Sequence, residues 1–164
     1  MAAITVETTI SKPREEVFEY LADIANHAEF LDHYLVNWHL LREDPYGTGA
    51  GARFRIRAPL NRFSWGDFTL TEVTAPYRIV EKGRGGKYNR IRMVGTYTLS
   101  PAPADTTRVQ YSFETEPPLF SDRLMESLGG SFWARRQLAK AIRRLRTILE
   151  EGRGRGRRPT VAGR

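Results

Sequence analysis

The chain has 164 residues, 40% of them hydrophobic, no cysteine and a formal net charge of +7; one domain is expected, and disulfides, thiolate catalysis and cysteine metal sites are excluded. No run of 18 apolar residues occurs, so no membrane span is expected, and MAAITVETTISKPREEV lacks the basic start and apolar stretch of a secretory leader, so the expected location is the cytoplasm. The charge is uneven: residues 1–120 carry 14 basic and 15 acidic groups, residues 121–150 carry 7 and 3, and residues 151–164 carry 5 and 1.

ITVETTI (Ile4–Ile10) alternates apolar and polar residues and predicts a strand. Next, Ser11 is a suitable N-cap, Pro13 suits a first helical turn, and Glu15 and Glu16 favour the positive end of a helix dipole. With Val17, Phe18 and Leu21 at helical spacing, a short amphipathic helix is predicted over Arg14–Ala22, and a second over His27–Leu31. Val36, Trp38 and Leu40 then share one parity, GTGAG (Gly47–Gly51) breaks the pattern, and Phe54 and Ile56 alternate with Arg53, Arg55 and Arg57. Phe63–Val73 predicts a strand whose parity changes near Gly66, as a bulge would cause. Tyr77–Lys82 predicts another, with KGRGGKYN as a loop. Ile91, Met93, Gly95, Tyr97 and Leu99 oppose polar neighbours, and after the turn SPAPADT so do Val109, Tyr111 and Phe113. These are the marks of an antiparallel sheet with one dry face.

From Ser121 the period becomes helical. Leu124, Leu128, Ser131, Arg135, Leu138, Ile142, Leu145 and Leu149 fall in one stripe of roughly 100°, with Arg136, Lys140, Arg143 and Arg144 opposite. Helicity should end at Gly152. EGRGRGRRPTVAGR has no apolar stripe, so residues 151–164 are expected to be a disordered basic tail behind a domain at 1–150, and truncation after Glu150 is expected to change stability by less than about 0.5 kcal/mol. The basic C-terminus can meet phosphate backbones nonspecifically, but its outer face lacks the aromatic platforms that single strands need, so no specific nucleic-acid partner is expected.

The predicted order is that of an α+β helix-grip fold, a curved antiparallel β-sheet wrapped around a long C-terminal α-helix, with two short helices after the first strand. TISKPREEVFEYLADIANHAEF, TLTEVTAPYRIVEKG and GTYTLSPAPADTTRVQYSFE resemble the first strand and helix pair, the central strands and the last hairpin of the START-like SRPBCC superfamily, in its polyketide cyclase/dehydrase and lipid-transport branch. The resemblance covers about residues 3–150. It implies a cavity for an apolar molecule such as a lipid, sterol or polyketide, and it carries over no catalytic residue.

His27, His33 and His39, evenly spaced, form no zinc signature, and no metal or cofactor is expected. GTGAG and GRGGKY lack the context of phosphate loops, no carboxylate pair must meet, and no serine sits in a nucleophile elbow. The expected ligand-binding residues are His33, where the second helix feeds the second strand, the aromatics Trp38, Phe54, Trp65, Tyr111, Phe113 and Phe132, the sheet residue Met93, and Leu128 and Arg135 on the helical stripe. Arg135 either snorkels to the surface or anchors an acidic or carbonyl oxygen of the ligand. Three functions fit this reading: a carrier or sensor of a small hydrophobic molecule, a cyclase or dehydratase acting on an aromatic polyketide-like substrate, and an interaction protein using its basic C-terminus. Monomer and homodimer remain open.

Overall fold

In the computed structural model, which describes residues 3–58, 65–116 and 130–161, the alternating segments form one sheet. Its strands are β1 (Ile4–Ile10), β2 (Leu35–Leu40), β3 (Gly51–Ile56), β4 (Trp65–Thr74), β5 (Arg78–Gly85), β6 (Ile91–Ala102) and β7 (Thr106–Glu116). They run antiparallel in the order β1-β7-β6-β5-β4-β3-β2. The helices α1 (Arg14–Ala22) and α2 (Ile24–Leu31) follow β1, and α3 (Ser131–Glu151) lies against β1 and α2. This is the helix-grip α+β fold.

The core is built from one parity of each strand and one stripe of each helix. Ile4, Val6 and Ile10 of β1, Tyr97 and Leu99 of β6 and Val109 and Tyr111 of β7 are buried. They face Val17, Phe18 and Leu21 of α1 and Leu138, Ala141, Ile142, Leu145 and Ile148 of α3 in one apolar cluster. α2 starts earlier than predicted because the Asp23 side chain accepts the Ala25 N–H at 2.9 Å and caps it. α3 stops as predicted, where Gly152 turns left-handed at φ 66° and its N–H donates to Ile148 O.

Three details differ from the sequence pattern. Asn37 takes φ 55° within a register shift between Val36 and His39, so Leu35, Trp38 and Leu40 are buried while Val36 is only half-buried. The irregularity in β4 falls between Leu70 and Glu72 instead of near Gly66. β5 runs on through KGRG to pair Gly85 with Ile91. Phe63 and residues 121–129 of the predicted helix lie outside the described residues.

The C-terminal segment is docked where disorder was expected. The Leu40 N–H on edge strand β2 donates to Thr160 O at 3.1 Å, and the Gly156 N–H donates to Glu29 O at 3.2 Å. Arg158 bonds Asn26 Oδ1 and Asp23, Arg155 lies 3.9 Å from Glu29, and Pro159 is buried. Arg144, assigned from sequence to the charged back of α3, ties the joint: it donates to Asp32, to Glu29 O and to Gly154 O. Backbone bonds and arginine pairs hold this segment, and neither leaves an apolar stripe to read. Truncation after Gly152 is therefore expected to cost about 1–2 kcal/mol, through one buried proline and several partly exposed polar contacts. Urea midpoints of full-length and truncated protein measure it; a difference below about 0.5 kcal/mol would show that the segment lies there without stabilising the fold.

Candidate functional site

Between the sheet, the end of α2 and the first turns of α3 lies a cavity of about 170 Å³. Its described walls include Leu31, Tyr34 and Leu35 beside α2, and Trp133, Ala134 and Leu138 on α3. The sheet contributes Phe54, Ile56 and Phe68 from β3 and β4, Gly85, Ile91 and Met93 from β5 and β6, and Tyr111, Phe113 and Thr115 from β7. The lining is almost wholly aromatic, aliphatic or glycine. Glycine on the concave face makes room for the large rings: a Cβ on Gly66 would stand 3.0 Å from Phe54 and 3.3 Å from Met93, and one on Gly85 would stand 3.1 Å from Met93.

One cavity wall connects to a buried polar group. The Tyr111 hydroxyl donates to Glu81 Oε1 at 2.7 Å, and Glu81 Oε2 lies 3.3 Å from His27 Nδ1. Both His27 and Glu81 are at most 1% exposed. His27 Nε2 is 2.8 Å from Leu21 O, an acceptor, so Nε2 carries a hydrogen. The other ring nitrogen, Nδ1, faces Glu81 Oε2 at 3.3 Å, outside hydrogen-bond geometry. Room for the group comes from Gly95, whose added Cβ would lie 2.5 Å from both Glu81 Oε1 and Tyr111 Oη. Burial, reinforced by the Glu81 charge, raises the Tyr111 hydroxyl well above the ordinary tyrosine value and raises Tyr34 as well. Both phenols therefore stay protonated.

The predicted site residues divide clearly. Phe54, Met93, Tyr111 and Phe113 line the cavity together. Trp38 backs it: its ring packs 4.9 Å from that of Phe54 and its Nε1–H donates to Leu35 O. His33 is part of the α2–α3 joint, donating through Nε2 to Gln137 O at 3.3 Å and accepting Arg144 on Nδ1 at 3.1 Å. Burial, with the Arg144 charge, holds its pKa below the ordinary histidine value against the opposing pull of the Gln137 carbonyl. Leu128 lies outside the described residues.

Three expected residues lie away from the described lining. Phe132 is 73% exposed, because the wall-facing side of α3 runs through Trp133, Ala134 and Leu138. Arg135 is exposed and is not among the described lining residues, as the snorkelling alternative expects. Trp65 pairs with Arg55 on the outer face of the sheet, where it is 39% exposed and lines a shallow groove with His39, Arg53 and Tyr88. Sequence reading missed Tyr34, Phe68, Trp133 and the Glu81–His27 pair. Glu81 did carry a signal, since it shares the inward parity of Ile79. Among the described residues no group of three or more His, Asp or Glu is placed to hold a metal.

Solved structures share this architecture at low identity. The protein DR_A0006 from Deinococcus radiodurans is 21% identical with a TM-score of 0.63, over 93% of this chain and 99% of that one. Truncated norcoclaurine synthase from Thalictrum flavum is 13% identical at TM-score 0.68, over 91% of this chain and 93% of that one. The major latex-like protein 151 from Panax ginseng is 10% identical at 0.67, over 90% and 97%. At such identities the likeness shows the fold alone. No curated protein matches the chain. The model of the family described as polyketide cyclase / dehydrase and lipid transport matches residues 1–150, most of the domain just described, and the chain belongs to that family.

Proposed function

We propose that the protein binds a small, predominantly apolar molecule in the cavity between α3 and the sheet, as a carrier or sensor. The observation that carries this reading is the cavity itself, a space of about 170 Å³ whose described lining residues are almost all aromatic, aliphatic or glycine. A dry cavity of roughly 150 Å³ admits benzene, so the volume fits a body of about one ring. A long-chain lipid or a polyketide is larger than this space. The family, which joins polyketide cyclases, dehydrases and lipid transport, supports an interior ligand without choosing among these. A carrier is favoured over an enzyme because few polar side chains meet in the cavity. An interaction role for the basic C-terminus has less support, since Arg144, Arg155 and Arg158 are taken up by Asp32, Glu29 and Asp23.

Native mass spectrometry of protein purified from its own host identifies a co-purifying molecule directly. Ala134→Phe tests the location, because Ala134 is half-buried on the cavity wall and the added ring has the cavity to enter. With p-xylene as probe and quenching of Trp133 fluorescence as readout, the variant should bind at least about tenfold more weakly, a large share of the transfer energy of one buried ring. Unchanged affinity in a variant with wild-type circular dichroism would place the binding elsewhere.

A further inference from the structure

The buried Tyr111–Glu81–His27 group gives the cavity a chemical preference. Resting on the reading that the cavity binds an apolar molecule, the geometry points to a ligand that carries one neutral hydrogen-bond donor, an O–H or N–H, received by Tyr111 Oη.

Tyr111 lines the cavity and gives its only hydroxyl hydrogen to Glu81 Oε1 at 2.7 Å. A phenol oxygen also accepts, and among the described residues no donor is directed at Tyr111 Oη. Donation to a carboxylate draws electron density onto the phenol oxygen, so the chain Glu81–Tyr111 makes that oxygen a better acceptor. The hydroxyl cannot readily turn to donate to a ligand instead, because that would strip Glu81 Oε1 of its partner while Oε2 already lacks one in hydrogen-bond geometry. Tyr111 therefore presents an acceptor. The same group works against anions. Glu81 lies behind the wall, and no basic side chain is among the described lining residues. Arg135, the cation that would have favoured an acidic ligand, is exposed on the outside of α3. A carboxylate would leave water for an apolar space with no counter-charge among the described lining residues.

Three probes of one shape separate the outcomes: p-cresol supplies a donor, p-xylene replaces the hydroxyl with a methyl group, and p-toluate supplies an anion. Titrated against the full chain by isothermal calorimetry, p-cresol should bind about fivefold to tenfold more tightly than p-xylene, the worth of one net hydrogen bond. p-Toluate should bind more weakly than both. Tyr111→Phe should abolish the preference for p-cresol over p-xylene. If that variant does not fold, nuclear Overhauser contacts in the wild-type protein decide the point, because the p-cresol protons beside the hydroxyl should lie against the Tyr111 ring. Equal binding of p-cresol and p-xylene overturns this inference and leaves the cavity reading standing. Tightest binding of p-toluate also overturns it, and binding of none of the three removes both.

Discussion

Glu81→Ala is expected to destabilise the protein by about 3 kcal/mol or more, the combined cost of an orphaned buried hydroxyl and a cavity. Glu81 is fully buried, bonds the Tyr111 hydroxyl and lies 3.3 Å from His27 Nδ1. Without it the Tyr111 hydroxyl loses its acceptor, His27 keeps a buried ring nitrogen facing a void, and the space between α2 and β5 loses packed atoms. Glu81→Gln should cost less, because its amide oxygen still accepts from Tyr111 while the charge is gone. His27→Leu combined with Glu81→Leu should be less damaging than the sum of the two single changes, since a matched apolar pair leaves no orphan. Urea denaturation of the five variants, Glu81→Ala, Glu81→Gln, His27→Leu, Glu81→Leu and the double change, measures the set. A loss below about 1 kcal/mol for Glu81→Ala would mean that water reaches the pair and that it contributes little.

Where one residue's neighbours in sequence decide its environment, the chain is readable; where a distant element decides, it is not. β1, β6 and β7 each bury one parity, and the alternation of Ile4, Val6, Val109, Tyr111, Tyr97 and Leu99 identifies the dry face without further knowledge. The site is less legible because it depends on phase. On α3 the predicted stripe holds at Leu138, Ile142 and Leu145, which are buried, but in the first turns Ser131 and Arg135 give way to Trp133 and Ala134, and a shift of one position rotates a helical side chain by roughly 100°. That rotation exchanges exposed Phe132 for Trp133. In β4, a parity break assumed at Gly66 put Trp65 inside. The strand in fact keeps its parity there and turns Gly66, Phe68 and Leu70 inward. Glu81 shares Ile79's parity, but an acid on an inward position has meaning only once His27 is known to face it, and that requires α2 to be packed on the sheet. The docked C-terminal segment follows the same logic, because its contacts are backbone bonds to β2 and α2 and arginine pairs, which no periodicity encodes.

Gly83→Ala is expected to cost at least about 3 kcal/mol and to weaken ligand binding with it. Gly83 sits in β5 opposite Met93 of β6, and on its other side β4 approaches so closely that an added Cβ would overlap the Asp67 carbonyl oxygen. It would also stand 2.7 Å from the Asp67 carbonyl carbon and 3.1 Å from Phe68 Cα. These are backbone atoms, so no side chain can swing aside and the two strands must separate. They are held at this point by the Arg84 N–H, which donates to Asp67 Oδ1 at 3.1 Å. Separation would displace Phe68 and Gly85, both in the cavity wall, so stability and p-xylene binding should fall together. Gly152→Ala is the control for backbone strain alone: it has φ 66° and nothing within 4 Å of its added Cβ. It should cost about 1 kcal/mol and leave binding unchanged. Thermal unfolding with and without p-xylene distinguishes the two positions. Similar small losses at both would show that β4 and β5 have slack at Asp67 and that the cavity wall does not depend on their close approach.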